Sequence, residues 1–264
     1  MTEAKRPAPE PFARLQAQPA YLRLAEAIER EIVSGRIAPG DPVGTEATLC
    51  EQFGVNRSTV REGIRLLEQS GLLQRDQSRR LFASLPRYNN LATRMSRALV
   101  LHQTSFRELW EAALALETAS VEAAARHATD EDIAALTDNL QRSRAQLNDA
   151  DAVIELDSEF HALIAKTGRN RVLELAREPA SLLFAPTLRV ILPRIEAAPQ
   201  RNVEAHAHII AALARHDEAE ARLWMQRHIN DWRRGFEKSG HGLDDPVERS
   251  FIEHVSGLRS GGRA

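Results

Sequence analysis

The segment DSEFH sets Asp157 and His161 four residues apart, so on a helix both side chains leave one face and can share a metal ion. Ile154, Phe160 and Ile164 fall on that side too, which predicts a buried carboxylate needing a cation or several hydrogen bonds. Two later histidines also turn inward. His206 is in register with Ile209, Ile210 and Leu213, whereas His208 is rotated away, and His228 keeps step with Trp224 and Trp232. One histidine on an apolar face is usually a hydrogen-bonded core residue, so the pairing with Asp157 is what raises the question of metal.

Arginines carry a second chemistry. In GVNRSTVREGIRLLEQSG, Arg57, Arg61 and Arg65 recur every four residues beside an apolar stripe of Val60, Ile64 and Leu67, so one flank can be buried while the cations project. Arg57 and Arg61 suit forked hydrogen bonds to guanine edges, and the hydroxyls of Ser58 and Thr59 with the first helical amides suit phosphates. Arg65 lies a turn later and is the weaker contact. Taken alone, such a stripe is more often a solvated face with i,i+4 partners. From Asn56 to Arg80 six arginines stand against three acids in a chain whose net charge is −2, so any DNA affinity comes from local placement and not from a generally basic surface.

The elements that must hold these groups can be read in turn. At 264 residues and 43% hydrophobic content the chain is long enough for two domains. Residues 1–19 are proline-bearing and read as a flexible leader. A helix begins near Ala20, with Tyr21, Leu24, Ala25, Ile28 and Ile32 in phase, and stops at Gly35 and Pro39-Gly40. A short helix follows, capped by Thr45, with Leu49 and Phe53 inward and Gly54 at its end. Asn56 caps the third helix, which runs to about Ser70. Leu72–Gln74 and Leu81–Ala83 are strand candidates around a charged tip, Arg75 to Arg80. Three helices and a hairpin make a winged helix-turn-helix over residues 20–86.

Residues 87–94 read as a linker, 95–239 as an all-α bundle of about seven helices, and 240–264 as a flexible tail. The expected fold class is therefore mainly α: an N-terminal winged helix-turn-helix and a C-terminal helical bundle. The helix breaks fall at 102–105, 128–130, 148–151, 167–170, 193–200 and 216–217. Cys50 is the single cysteine and reads as a small core residue. No apolar run approaches the roughly 18 residues that span a bilayer, and no signal peptide is visible, so a cytoplasmic location with no membrane partner is expected.

IVSGRIAPGD at 32–41 and VNRSTVREGIRLLEQSGLL at 55–73 resemble the winged-helix domain of the GntR family of bacterial transcription regulators. The helical part is similar to the FCD ligand-sensing domain of the FadR-like subfamily. The resemblance implies that Asn56, Arg57, Ser58, Thr59 and Arg61 lie at a double-stranded DNA interface. Two departures stand out: Ala47 replaces a usual arginine of the second helix, and the wing Gln77-Ser78-Arg79-Arg80-Leu81 lacks glycine, although Arg79 and Arg80 supply charge.

Metal-binding members of the subfamily carry Asp-x-x-x-His and two later histidines, which selects Asp157, His161, His206 and His228. Such a set suits a divalent ion, zinc first, with nickel, manganese or iron also accommodated. Many relatives sense small carboxylates; the arginine that often serves them is Ala113 here, leaving Arg107, Arg189 or Arg194 as substitutes. The resulting expectation is a homodimeric, metal-containing repressor that binds a pseudo-palindromic operator and is released by a carboxylate effector. The competing readings are a metalloenzyme acting on a small substrate in the bundle, for which no general base or nucleophile can be nominated, and a purely structural dimerisation bundle.

Overall fold

The computed structural model describes residues 18–85 and 88–247. The leader expected at 1–19 lies almost wholly outside the described residues, as does the tail beyond 247. The chain divides into two compact units, residues 1–87 and 88–264.

In the first unit α1 (Ala20–Val33), β1 (Pro42–Gly44), α2 (Glu46–Phe53), α3 (Arg57–Ser70), β2 (Leu73–Arg75) and β3 (Leu81–Ala83) follow one another. Their core is Leu24, Ile28, Leu49, Val60, Ile64, Leu67, Leu73, Leu81 and Ala83. Gly63 lets α1 and α3 approach closely, since a Cβ there would stand 2.7 Å from Leu24 Cδ2 and 3.0 Å from the Tyr21 carbonyl. The caps match the residue types: Thr45 and Thr48 form a reciprocal capping box, Gly54 is left-handed, and the Asn56 side chain accepts from Thr59 N–H.

The hairpin pairs Leu73 with Ala83 and Arg75 with Leu81, and β1 adds a third strand in the order β1-β3-β2. Three residues beginning with proline gave no alternation by which β1 could be recognised. Phe53, expected inward, is 37% exposed: it is the last residue of α2, where the chain turns away from the core at Gly54.

The second unit comprises α4 (Tyr88–Leu101), α5 (Phe106–His127), α6 (Asp130–Ala145), α7 (Ala150–Thr167), α8 (Arg171–Ile191), a 3₁₀ turn at 192–194, α9 (Ala198–Leu213) and α10 (Glu218–Lys238). Ser105 and Thr129 start α5 and α6 with capping boxes, and Asp149, Asn170 and Asp217 cap α7, α8 and α10. Phe160, Ile164, Leu136, Val121, Ile209, Leu213 and Met225 form the main core. None of the described helices is long and apolar enough to cross a membrane.

Two expectations change here. Residues 88–94, read as linker, are the opening turns of α4, a helix held to α8 where Ser96 Oγ donates to the Pro179 carbonyl at 2.7 Å. Residues 240–247, read as a loose tail, fold back on the start of α5. Phe106 and Arg107 N–H groups donate to the Asp245 and Leu243 carbonyls, Val247 N–H donates to the Thr104 carbonyl, and Val247 is buried. Glycine content hid a segment whose order comes from backbone pairing rather than from its own periodicity.

Candidate functional site

Asp157 and His161 project from α7, His206 from α9 and His228 from α10, and one ligand atom from each lies within 4.8 Å of all the others. His161 Nε2 faces His228 Nε2 at 3.0 Å, and Asp157 Oδ1 stands 3.4 Å from His206 Nε2, 3.8 Å from His228 Nε2 and 3.9 Å from His161 Nε2. Ligands about 2.0–2.1 Å from one ion are separated by roughly 3.0–3.4 Å when adjacent, so the His161–His228 and Asp157–His206 pairs have that spacing and the remaining pairs are wider than it.

The chemistry of the donors fits as well. Both ring nitrogens of His206 are buried without a hydrogen-bond partner, while Phe160 stacks on the ring at 3.6 Å and fixes its plane. Burial drives His206 down from its usual pKa and, with the neighbouring His206 and His161, takes His228 to about 3, so both rings offer lone pairs. Burial would also raise Asp157, yet its histidine neighbours hold it well below the usual carboxylate range. A charged, buried carboxylate surrounded by lone pairs is what a divalent cation requires.

Behind the ligands stand two residues that the sequence reading missed. Glu117 of α5 meets His161 Nδ1 at 2.9 Å, and Arg177 of α8 donates from Nε to the other oxygen of Glu117 at 3.0 Å. Burial would raise the Glu117 carboxyl, but His161 and Arg177 outweigh it and bring it to about 2. For His161, the lowering by burial is outweighed by Glu117 and Asp157, and its pKa rises. With both oxygens engaged, Glu117 is not placed to act as a general base.

A cavity opens onto Asp157, His161 and His228, with apolar walls from Phe184, Leu188, Ile191 and Trp232. Its polar rim is Arg201, Asn202 and Asp231; Arg201 pairs with Asp231 at 2.9 Å, and Asn202 donates to Asp157 at 2.9 Å. None of the three arginines expected to serve an acid lines this cavity. Arg107 pairs with Asp244, Arg189 with Asp151, and Arg194 donates to the Ser239 carbonyl. Each sits where its own helix points it, and only the packing of α9 against α10 singles out Arg201. Ala113, where an arginine was looked for, is buried in the main core.

In the first unit the arginine stripe is exposed along α3. Arg57 has no ion pair among the described residues. Arg61 is bonded to Glu46 of α2 at 2.9 Å, Glu46 also takes Arg75 at 3.2 Å, and Arg65 pairs with Glu62 within its own helix. The hydrogen bond from Arg61 holds the Glu46 carboxyl below its usual range. Asn56 and Ser58 are tied to each other at the helix start, with Thr59 N–H on the same Asn56 oxygen.

At the wing tip Asp76 accepts from Ser78 Oγ and Arg80 N–H, and Arg79 adopts φ 63°, the left-handed conformation that glycine would take more easily. Arg79 and Arg80 are both exposed there without ion-pair partners among the described residues. Ala47 is exposed on α2, next to the Glu46 that holds Arg61.

Comparison with known proteins bears on both units. The model of bacterial regulatory proteins of the gntR family matches residues 20–82, and the FCD domain model matches residues 108–231. The chain is 29% identical over 210 residues to the HTH-type transcriptional repressor NanR of Cronobacter sakazakii, with 78% of this chain and 80% of the relative covered. The same figures hold for NanR of Salmonella typhimurium. Among solved structures, Streptococcus agalactiae GntR shares the fold with a TM-score of 0.59 at 24% identity, over 81% of this chain and 99% of that one. These relatives are regulators and not enzymes. The chain belongs to the GntR family of bacterial transcription regulators, with an FCD domain following its winged helix.

Proposed function

We propose that the protein is a metal-containing repressor whose FCD unit binds a small carboxylate and thereby changes the affinity of its winged helices for DNA. The observation that carries this reading is the convergence of Asp157, His161, His206 and His228, the first two and the last lining a cavity, in a chain that also presents Arg57 and Arg61 on an exposed face of α3. Those four residues would hold a divalent ion, with zinc the first choice from the nitrogen-rich set, and the ion would supply Lewis acidity toward ligand oxygens. Arg201 and Asn202 are the cavity groups suited to orient an acid. Repression as the sign of regulation is carried over from the NanR relatives by name.

On the DNA side, Arg57 and Arg61 read base edges, Asn56, Ser58 and Thr59 fix the start of α3 and contact phosphate, and Arg65, Arg79 and Arg80 add backbone charge. A homodimer places two such helices on half-sites of a pseudo-palindrome. The carboxylate acts by binding one arrangement of the dimer better than the other, without which no change in operator affinity follows.

Selection of duplexes from a random library by the full-length protein tests the assignment. An inverted repeat should be enriched, and Arg57→Ala or Arg61→Ala should weaken the selected site by about tenfold to a hundredfold per half-site, in line with roughly 1–3 kcal/mol for a bidentate base contact. Unchanged enrichment by both variants overturns the assignment of these arginines.

A further inference from the structure

We propose that Glu117 is the positioning residue for the metal ligand His161, and that Arg177 is the buried cation that keeps Glu117 in place as an acceptor. The inference rests on the metal-site reading above and adds two residues to it that touch neither ion nor cavity.

The geometry carries the argument. Glu117 is 1% exposed and Arg177 3% exposed, so neither can be satisfied by solvent. Glu117 spends one carboxylate oxygen on His161 Nδ1 at 2.9 Å and the other on Arg177 Nε at 3.0 Å. A carboxylate oxygen can only accept, so Nδ1 of His161 must carry the proton. In the neutral ring the lone pair is then left on Nε2, the nitrogen that faces His228 and Asp157.

Rotation of the ring is blocked for the same reason. Turning it over would leave the Glu117 oxygen without its donor in a buried site. The three residues come from α5, α7 and α8, so the orientation of a ligand on α7 is set by two helices that contribute no ligand themselves. Neither Glu117 nor Arg177 lines the cavity, which separates their role from effector contact. Arg177 has a second acid, Glu178, at 3.5 Å and more exposed, so the buried arginine is not left bare if Glu117 is altered.

The test uses the full-length protein with Co²⁺ and Zn²⁺ as probes. Co²⁺ affinity is measured by competition against a chelating indicator, together with the d–d absorption spectrum. Asp157→Ala should abolish binding; if the wild-type protein binds neither ion, or Asp157→Ala binds as well as wild type, the metal-site reading itself fails.

With that reading intact, Glu117→Gln should weaken Co²⁺ about tenfold to a hundredfold and alter the spectrum, as expected for removal of a carboxylate behind a histidine ligand. The double variant Glu117→Gln/Arg177→Met removes both buried charges and guards against a folding failure in the single one. It should show the same weakened affinity with a metal-free thermal midpoint close to wild type. Wild-type affinity and spectrum in both variants overturn the proposal. An arm that needs no variant is the ¹⁵N spectrum of histidine-labelled, Zn²⁺-loaded protein: His161 should carry its proton on Nδ1, and a ring protonated on Nε2 overturns the proposal as well.

Discussion

Asp157 is kept charged by its surroundings: its side chain is 11% exposed and faces three imidazoles that outweigh the cost of burial, with Asn202 an amide donor to it. Replacing it with the isosteric amide therefore removes a buried charge together with the histidine contacts that favour it. Metal-free Asp157→Asn should be less stable than wild type near neutral pH by about 1–3 kcal/mol, and the rise in thermal midpoint produced by Zn²⁺ in wild type should disappear. A full Zn²⁺ shift in the variant would place the ion elsewhere. The four clustered residues were legible because each shares its phase with apolar neighbours, Ile164 for His161 and Ile209 for His206. Glu117 was readable by the same rule, since it lies four residues from both Ala113 and Val121 on a buried stripe. A lone carboxylate in an alanine-rich helix has no ligand spacing of its own to draw notice. Arg201 could not be found this way, because an arginine at the head of a helix says nothing about which helix will pack beside it.

The wing is a turn built without glycine. Asp76 ties down Ser78 and Arg80, and the strain is taken by Arg79 in the left-handed region. Arg79→Gly relieves that strain at some cost in unfolded-chain entropy, so it should leave the stability of this unit unchanged or raise it by up to about 1 kcal/mol. The same change should weaken DNA binding uniformly across sequences and reduce the salt slope by about 1, as for one lost phosphate contact. Chemical denaturation and binding isotherms at several salt concentrations check the two effects separately; loss of stability on substitution would contradict the account of the turn. Five helix starts were well signalled, because Asn56, Thr45, Ser105, Thr129 and Asp217 announce them chemically. Strand β1 and the segment 240–247 were not, since each owes its conformation to a partner distant in sequence, Phe82 for one and the start of α5 for the other.

Each unit has its own apolar core, one around Leu49 and Ile64 and the other around Phe160 and Ile209, and all four residues of the Asp–His cluster belong to the second. Calorimetry of the full chain should therefore resolve the response of the two. A chelator is expected to lower the unfolding temperature of the helical unit and to leave that of the winged unit where it was. A shift of both together would show that they unfold as one body. The division into a winged helix and an all-helical unit was open to inspection from the switch in periodicity and composition alone. Its boundary was less so, because the opening turns of α4 carry asparagines that read as a break, and their helical state depends on burial of Ala92, Ser96 and Val100 further along.

Beneath the cavity two acids, Asp157 and Glu117, are enclosed with a single guanidinium, that of Arg177, and the Arg201–Asp231 pair at the rim adds no net sign. A doubly charged ion held there would leave this interior with one surplus positive charge, which a medium of low permittivity tolerates poorly. On the proposed function a monovalent carboxylate would restore neutrality and a divalent one would overshoot it, which predicts that valence selects among incoming acids before shape does.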